Sequence, residues 1–313
     1  MNKDAAIFVA GQSGLVGTAI RRALEARGFS NLLDAPRAAL DLRDQVAVER
    51  FFSARRPDYV FMAAAKVGGI VANDAYPADF IRDNLQIQTN VIDAAHRYGV
   101  RKFCFFGSSC IYPRFAAQPL KEDSLLTGPL EPTNQWYAVA KIAGIKMCQA
   151  YAKQHGFNAI SVMPANLYGP GDNFNLQTSH VLPALLRKFH AAKEARAPTV
   201  TVWGSGTPRR ELLYVDDLAD AVCFLMETYE SPEIINVGVG EDITIAELAA
   251  LIGRIVGFDG EMVFDLTKPD GTPRKLLDVT KAAQLGWRPR TALADGIRTT
   301  YAWYVANRSV PKD

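Results

Sequence analysis

The chain has 313 residues, of which 49% are hydrophobic and 22% are charged, and its formal net charge is +2. This length can bury about 75% of the surface of the unfolded chain, in one large domain or in two smaller ones. The near-neutral charge argues against a nucleic-acid partner and against a polybasic membrane surface, so any positive site has to be local.

The N-terminus and the cysteines indicate a cytoplasmic protein. The opening MNKDAAIFVAG meets a glycine after an apolar run that is too short for the core of a signal peptide. The chain has no stretch of 18 apolar residues, so we expect no membrane span. The four cysteines (Cys104, Cys110, Cys148 and Cys223) lack CxxC spacing, which argues against disulfides or a zinc site and predicts reduced thiols without a bound metal.

The first half of the chain alternates apolar strands with helices. Strands are predicted at residues 5–10, 59–64, 102–106 and 159–163. Helices are predicted at residues 18–27, 77–98 and 137–154. This alternation predicts an α/β fold with a doubly wound parallel sheet of the Rossmann type, covered by helices on both faces.

After about residue 170 the alternation loosens. A helix is predicted at 181–193, a strand at 233–238 and an amphipathic helix at 244–257, which Thr244 and Glu247 open as a capping box. We expect a smaller C-terminal α/β domain that packs over the carboxyl edge of the sheet and binds substrate. The expected division assigns residues 1–170, with a returning segment around 213–240, to the Rossmann domain, and residues 171–212 and 241–313 to the substrate domain.

A glycine-rich turn follows the first predicted strand. Gly11, Gly14 and Gly17 lie in GQSGLVG, directly before a helix. Glycine there permits a tight turn and lets a pyrophosphate approach the backbone N–H groups at the helix N-terminus. Glycine triplets also occur in ordinary turns, but this strand and helix context favours a dinucleotide site. The GxxGxxG spacing resembles that of the short-chain dehydrogenase/reductase superfamily.

The residues after the second strand give two opposite indications about the cofactor. A carboxylate such as Asp34 favours NAD, whereas an arginine such as Arg37 favours the 2′-phosphate of NADP. Arg37 lies nearer to the point where an extended short-chain reductase turns toward the ribose, and Asp41 is then expected to face the adenine. We therefore expect NADP(H), the alternative being that Arg37 is a solvated surface residue.

A second motif predicts carbonyl chemistry. Tyr137 and Lys141 are four residues apart on one predicted helix and so share a face. A lysine beside a tyrosine is expected to lower the pKa of the phenol from about 10, which favours proton transfer to a carbonyl oxygen during hydride delivery. Ser108 or Ser109, at the end of the strand at 102–106, can supply a hydroxyl to the same oxygen.

Six longer blocks resemble one family within this superfamily. They lie at residues 63–73 (AAAKVGGIVAN), 107–113 (GSSCIYP), 131–146 (EPTNQWYAVAKIAGIK), 166–174 (NLYGPGDNF), 202–211 (VWGSGTPRRE) and 268–279 (KPDGTPRKLLDV). Along nearly its whole length the chain is similar to the GDP-L-fucose synthases, also called GDP-4-keto-6-deoxy-D-mannose 3,5-epimerase/4-reductases. The resemblance implies an NADPH-dependent enzyme that epimerises C3 and C5 of a GDP-linked 4-keto-6-deoxy sugar and then reduces C4.

Epimerisation needs groups that the Ser–Tyr–Lys set does not supply. Protons at C3 and C5 are α to the ketone, so their removal gives an enolate, and inversion needs a base and an acid on opposite faces. The resemblance implies that Cys110 accepts the proton and that His180 donates it. A cysteine just past a strand end can be partly exposed and electropositive enough to ionise, and histidine titrates near neutral pH. Packing in the core is the alternative for Cys110, and the other cysteines and histidines are interpreted as structural.

The resemblance also implies a set of cofactor contacts. These are Gly11, Gln12, Ser13, Gly14, Leu15, Val16, Gly17, Arg37, Asp41, Leu42, Phe106, Gly107, Ser108, Ser109, Lys141, Pro164, Ala165, Asn166, Leu167 and His180. Gln12 and Ser13 depart from the HRG that some bacterial relatives have in this loop, where an arginine helps to hold the 2′-phosphate. Arg37 is thus left as the main candidate for that contact.

Five residues of the second half are candidates for binding the GDP-sugar. Lys188, Arg210 and Lys275 can bind the diphosphate, because cationic side chains pair with phosphate oxygens. Trp203 can stack on the base, and Asp270 can accept a hydrogen bond from a sugar hydroxyl or the base edge. The resemblance supports all of these except Lys275. Lys188 stands where some relatives have arginine, so it keeps the charge without the fork of donors.

Three other functions remain open on the sequence alone. A GDP-L-colitose synthase would share the catalytic set but epimerise only C5 of a 3-deoxy sugar. A nucleotide-sugar 4-epimerase would share the glycine loop and the YxxxK motif without needing Cys110 and His180. A Rossmann redox sensor or interaction module would not need the Ser–Tyr–Lys set.

We also expect a homodimer that pairs the helices at 77–98 and 137–154 across a two-fold axis.

Overall fold

The structure is a computed structural model that describes residues 1–268 and 270–307. Pro269, within the block at 268–279, and residues 308–313, the end of the expected substrate domain, lie outside the described residues. The strands are β1 (Ile7–Ala10), β2 (Leu32–Leu33), β3 (Tyr59–Met62), β4 (Lys102–Phe106), β5 (Ala159–Pro164), β6 (Asn166–Tyr168), β7 (Thr199–Trp203), β8 (Arg209–Arg210), β9 (Leu212–Tyr214), β10 (Ile234–Val237), β11 (Ile243–Thr244), β12 (Glu261–Asp265) and β13 (Arg274–Lys275). The α-helices are α1 (Leu15–Ala26), α2 (Gln45–Arg55), α3 (Ile70–Ala75), α4 (Pro77–Arg97), α5 (Gln135–His155), α6 (Val181–Glu194), α7 (Val215–Thr228), α8 (Ile245–Val256), α9 (Thr280–Gln284) and α10 (Leu293–Asn307).

A six-stranded parallel sheet in the order β10-β5-β4-β3-β1-β2 forms the centre of the larger core. Its strands are mostly apolar runs such as IFVA and KFCFF, and every residue of these two runs, including Lys102, is buried. Continuous burial is typical of strands covered on both faces. The helices accordingly form two groups, one in which α1 packs on α7 and another in which α4 packs on α2 and α5. The predicted Rossmann sheet is confirmed.

The predicted elements agree with the structure to within a few residues. β4 has the predicted bounds, and α4 ends one residue earlier than predicted, before Gly99, whose φ is +76°. α1 begins three residues earlier than predicted, because Gly14 serves as its N-cap. α8 carries the predicted capping box, with hydrogen bonds in both directions between Thr244 and Glu247.

A second, smaller core lies in the C-terminal half. It joins apolar residues of α6, β7 and α8 with Tyr168, Leu212, Tyr214 and Ile297. β7 pairs with β12, and β8 pairs with both β11 and β13. Leu277, Ala282 and Trp287 instead pack with the larger core. The chain therefore has two hydrophobic cores, and the second is built mainly from residues after 167.

The carboxyl ends of the central strands position the site. β1 leads into the glycine loop, β3 into residues 63–69, β4 into residues 107–113 and β5 into β6. Parallel strands end at one edge of a sheet, so these four loops meet there.

Candidate active site

At two positions of the glycine loop, neighbouring backbone atoms leave no room for a side chain. Gly11 has a φ of +83°, and a Cβ there would lie 2.8 Å from the Cα of Ala64 on the neighbouring loop. A Cβ on Gly17 would lie 2.1 Å from the carbonyl oxygen of Gly11. The first turn of α1 contains no acidic residue, so its N-terminal N–H groups can bind an anion. This cradle fits the diphosphate of a dinucleotide.

A cavity of about 710 Å³ opens at the carboxyl edge of the sheet, next to this cradle. This volume is typical of a small-molecule or cofactor site. It is lined by the glycine loop, by residues 106–109 and 164–167 at the ends of β4 and β5, and by residues 178–180 before α6. Every residue that the sequence assigned to cofactor binding lines this single cavity, and Tyr137 lines it as well.

The part of the cavity lined by residues 37–43 holds several charged side chains. Arg37 and Asp41 line the cavity, whereas Asp34 pairs with Arg21 of α1 at 2.7 Å. Arg43 binds Asp41 through Nε and Nη2, and this hydrogen bonding lowers the pKa of Asp41 to about 2. The side chain expected to face the adenine is therefore already held by an arginine.

Two cationic side chains of this cavity were not predicted from the sequence. Arg43 and Lys66 both line the cavity, and both lie within 4 Å of the buried Asp83 of α4. Burial raises the pKa of Asp83, but its hydrogen bonds with Arg82 and Lys66 outweigh that effect and lower it. Lys66 belongs to the block AAAKVGG, which could have pointed to it, whereas Arg43 carries no local signal beyond its closeness to Asp41.

Tyr137 and Lys141 occupy one face of α5 and project into the cavity. The Nζ of Lys141 donates to the carbonyl oxygen of Phe106 at 2.8 Å and lies 5.7 Å from the centre of the Tyr137 ring. This contact ties α5 to the end of β4. Burial lowers the pKa of Lys141 to about 8.

The expectation of a lowered phenol pKa is wrong for this structure. Burial raises the pKa of Tyr137, and the nearby thiol of Cys110 adds to the rise. Desolvation disfavours the phenolate, so the phenol is neutral and can donate a proton rather than accept one.

Cys110 lies in the single turn of 3₁₀ helix, Ser109–Ile111, that follows β4. Ser108 is the N-cap of this turn, and its Oγ accepts a hydrogen bond from the backbone N–H of Cys110 at 3.4 Å. The expectation of partial exposure is wrong, because Cys110 is only 6% exposed. Burial raises the pKa of its thiol, whereas Lys275, Ser108 and Lys141 oppose the rise.

Cys110 borders a second, small cavity rather than the large one. Lys275, Glu131 and Arg114 also line it, and Ser109 lines both cavities. The thiol therefore lies between the reduction set and a cluster of charged side chains.

His180 lines the large cavity from the segment that precedes α6. It is the N-cap of α6 and is an exposed residue. The surrounding walls and the charge of Lys275 lower the pKa of its imidazole. Lys275 thus acts electrostatically on both Cys110 and His180.

Two parallel strands carry four cations in adjacent positions. β8 and β13 place Arg209 opposite Arg274, and Arg210 opposite Lys275. Both members of the first pair bind the carboxylate of Asp242. The second pair is included in no ion pair among residues 1–268 and 270–307, and Arg210 donates only to carbonyl oxygens. Burial lowers the pKa of Arg210 and of Lys275. Arg210 and Lys275 are therefore the cations available to an anionic ligand.

The other substrate candidates lie away from the large cavity. Trp203 is 49% exposed, and the Nζ of Lys188 lies 4.5 Å from the centre of its ring. Asp270 accepts hydrogen bonds from the backbone N–H and the hydroxyl of Ser205. Trp203 is thus an exposed aromatic platform with a cation beside it, and not a core residue.

Among the described residues, two other kinds of feature are absent. Across residues 1–268 and 270–307, the side chains of His, Cys, Asp and Glu form no group of three or more that could hold a metal ion. Within the same ranges, no helix is long and apolar enough to cross a membrane.

The fold and the glycine cradle define a nucleotide-dependent enzyme of the epimerase/dehydratase class, and the profile of the NAD dependent epimerase/dehydratase family matches residues 7–238. Putative GDP-L-fucose synthase 2 of Arabidopsis thaliana is 61% identical over 98% of this chain and 94% of its own length. GDP-L-fucose synthase of Escherichia coli strain K12 is 55% identical, over 96% of this chain and 97% of its own. The chain belongs to the GDP-L-fucose synthase family.

The structural comparison agrees with this assignment. The crystal structure of a GDP-L-fucose synthetase from Naegleria fowleri bound to NADP is 31% identical and has a TM-score of 0.92, covering 100% of this chain and 98% of that one. GDP-L-colitose synthase of Yersinia pseudotuberculosis is more distant, at 35% identity over 97% of this chain and 99% of its own length.

Proposed function

We propose that the protein converts GDP-4-keto-6-deoxy-D-mannose into GDP-L-fucose by epimerising C3 and C5 and then reducing C4 with NADPH. The observation that carries this proposal is that one cavity joins the glycine cradle to Tyr137, Lys141 and His180, with Cys110 beside it. A cofactor, a reducible carbonyl and a proton donor can therefore meet in one space. The family membership supports the substrate and the cofactor.

In the reduction, NADPH supplies the hydride to C4. Tyr137 gives its proton to the oxygen that was the ketone, and the hydroxyl of Ser108 donates a hydrogen bond to the same oxygen. Lys141, fixed by the carbonyl oxygen of Phe106, places a positive charge where the phenol loses its proton. The raised pKa of Tyr137 matches this role, because the phenol is protonated before the reaction.

In the epimerisation, the same polarised ketone makes the protons at C3 and C5 acidic. The thiolate of Cys110 removes a proton, which leaves an enolate, and His180 returns a proton to the opposite face. Each inversion therefore leaves the substrate with the same number of hydrogens. The burial of Cys110 opposes ionisation, so the charge of Lys275 supports its role as a base.

The GDP part of the substrate is assigned to the second half of the chain. Arg210 and Lys275 bind the diphosphate, because both are partly buried cations with no carboxylate in ion-pair contact among the described residues. Trp203 stacks on the guanine, Lys188 adds charge beside it, and Asp270 accepts a hydrogen bond from the ligand. The two hydrophobic cores support the division of the chain into a Rossmann domain and a substrate domain.

We further assign the protein to the cytoplasm and to a homodimer that pairs α4 and α5 across a two-fold axis. These two helices pack on each other along their length, and α5 exposes Trp136 and Val139, at 42% and 41%. Exposed apolar side chains on a long helix are typical of a surface that a second subunit covers.

Deuterium uptake tests the function most directly. The enzyme is incubated with GDP-4-keto-6-deoxy-D-mannose and NADPH in heavy water, and carbon-bound deuterium in the product is counted by mass spectrometry. We expect two deuterons per reduced sugar in wild type, and no deuterium in a Cys110→Ser variant that binds NADPH normally. Reduction by wild type without deuterium would leave a simple ketoreductase. A faster reaction with the 3-deoxy substrate, with one deuteron taken up, would favour GDP-L-colitose.

A further inference from the structure

A carboxylate stands at a position that should disfavour NADPH. Asp34 directly follows β2, where an acidic residue in dinucleotide-binding folds accepts hydrogen bonds from the ribose hydroxyls of NAD. The same carboxylate repels the 2′-phosphate of NADP. The proposed use of NADPH therefore requires that this charge be neutralised or kept away from the ribose.

Arg21 of α1 binds that carboxylate. Its Nη1 donates to Oδ1 of Asp34 at 2.7 Å and to Oε1 of Gln12 in the glycine loop at 3.0 Å. The Arg21 side chain is 23% exposed and that of Asp34 is 70% exposed, so the arginine is the fixed partner of the two. Glu25, one turn along the helix, is 3.8 Å from the guanidinium and is outside hydrogen-bond range.

The ion pair between Arg21 and Asp34 agrees with the position of Asp34 outside the cavity lining. Ala35 and Arg37 line the cavity, whereas Asp34, just before them, does not. Arg21 thus holds the carboxylate on the side of α1, outside the space in which the ribose phosphate would lie.

The other charged side chains at the cavity explain why the pairing of Arg21 with Asp34 matters for NADPH. Arg43 is bound by Asp41 and lies 3.6 Å from Asp83, so its charge is largely compensated. Arg37 is included in no ion pair across residues 1–268 and 270–307 and is the cation available to a phosphate. Without Arg21, the freed charge of Asp34 would oppose Arg37.

We propose that Arg21 sets the cofactor preference by neutralising Asp34 and holding it outside the ribose site. Arg21 is a positioning residue in this inference, which rests on the proposed use of NADPH. The ion pair is partly exposed, so the expected effect is moderate and is largest at low ionic strength.

A double-mutant cycle tests the inference. Dissociation constants of NADPH and of NADH are measured by fluorescence at low salt for wild type, Arg21→Met, Asp34→Asn and the double variant. We expect Arg21→Met to weaken NADPH binding up to about fivefold while NADH binding stays equal or tightens. Asp34→Asn should restore NADPH binding in the Arg21→Met background. Arg22→Met is the matched control, because Arg22 lies on the same helix as Arg21 but pairs with Asp216 of α7.

Two outcomes would overturn the inference. An equal loss for both cofactors in Arg21→Met, or a double variant as weak as Arg21→Met, would mean that Arg21 acts through Gln12 and the glycine loop. A wild-type protein that binds neither cofactor, or prefers NADH, would instead contradict the proposed function.

Discussion

Lys275 lies beside Cys110 on one small cavity, and its ammonium group lowers the pKa of a thiol whose pKa burial raises. Burial lowers the pKa of His180, and the same charge lowers it further. One lysine therefore favours the thiolate of the assigned base and the neutral form of the assigned acid. In the unliganded site the pKa of His180 is lowered while that of Cys110 stays raised, so the negative charge of a bound GDP-sugar would be needed to favour a protonated His180.

Replacing Lys275 by methionine should raise the pKa of the Cys110 thiol further, because the largest of the effects that oppose burial would be lost and only the smaller effects of Ser108 and Lys141 would remain. The thiolate is measured by its ultraviolet absorbance across a pH series, as the difference between each protein and its Cys110→Ser counterpart. The pH dependence of deuterium uptake by the substrate should move upward with it. Lys275→Arg keeps the charge and should titrate close to wild type. A midpoint that is the same in Lys275→Met and wild type would remove Lys275 from the activation of the thiol.

Replacing Tyr137 by phenylalanine should lower the rate of NADPH oxidation by about 10²–10⁴-fold, the usual contribution of a positioned general acid. The loss of the hydroxyl does not affect the hydrogen bond from Lys141 to Phe106, so NADPH binding should be unchanged. Turnover is followed by NADPH absorbance and binding by fluorescence. Turnover near the wild-type rate would exclude Tyr137 as the proton donor.

Lys141 should give the reduction a high-pH limit. Burial lowers its pKa to about 8, so its ammonium form predominates below that pH and is lost above it. If the charge is needed, kcat/KM for the ketone should fall above about pH 8 by tenfold per pH unit. Arginine holds its charge to much higher pH, so an active Lys141→Arg variant should lose this limb. A limb that stays in place in that variant would have to come from another group.

The regular elements could be predicted from the sequence because their signals are local. KFCFF is an apolar run after its first residue and predicts β4 with the observed bounds, and Thr244 with Glu247 closes the capping box of α8 within one turn. The glycine loop and the YxxxK pair are equally local, so their place at the cavity could be anticipated.

The charge state of the site could not be predicted in the same way. Cys110 is buried in a turn that packs on α5, and Asp34 is neutralised by an arginine on another element. Such pairings depend on tertiary contacts between segments that are far apart in the chain. The predicted exposure of Cys110 and the predicted low pKa of Tyr137 were wrong for this reason. Both properties depend on burial, which such tertiary contacts determine.

Replacing Glu211 by glutamine should destabilise the fold, although the two side chains have nearly the same shape. Glu211 is fully buried, and its two oxygens accept hydrogen bonds from the backbone N–H groups of Val239, Gly240 and Leu277. The amide nitrogen of glutamine cannot accept, so it would face at least one of these donors and leave it unpaired. The expected cost is about 1–3 kcal/mol in the free energy of unfolding, measured by chemical denaturation. Glu241→Gln, at an exposed neighbouring position, is the control and should change it by less than about 0.5 kcal/mol. Equal stability of the two variants would show that Glu211 does not tie these three segments together.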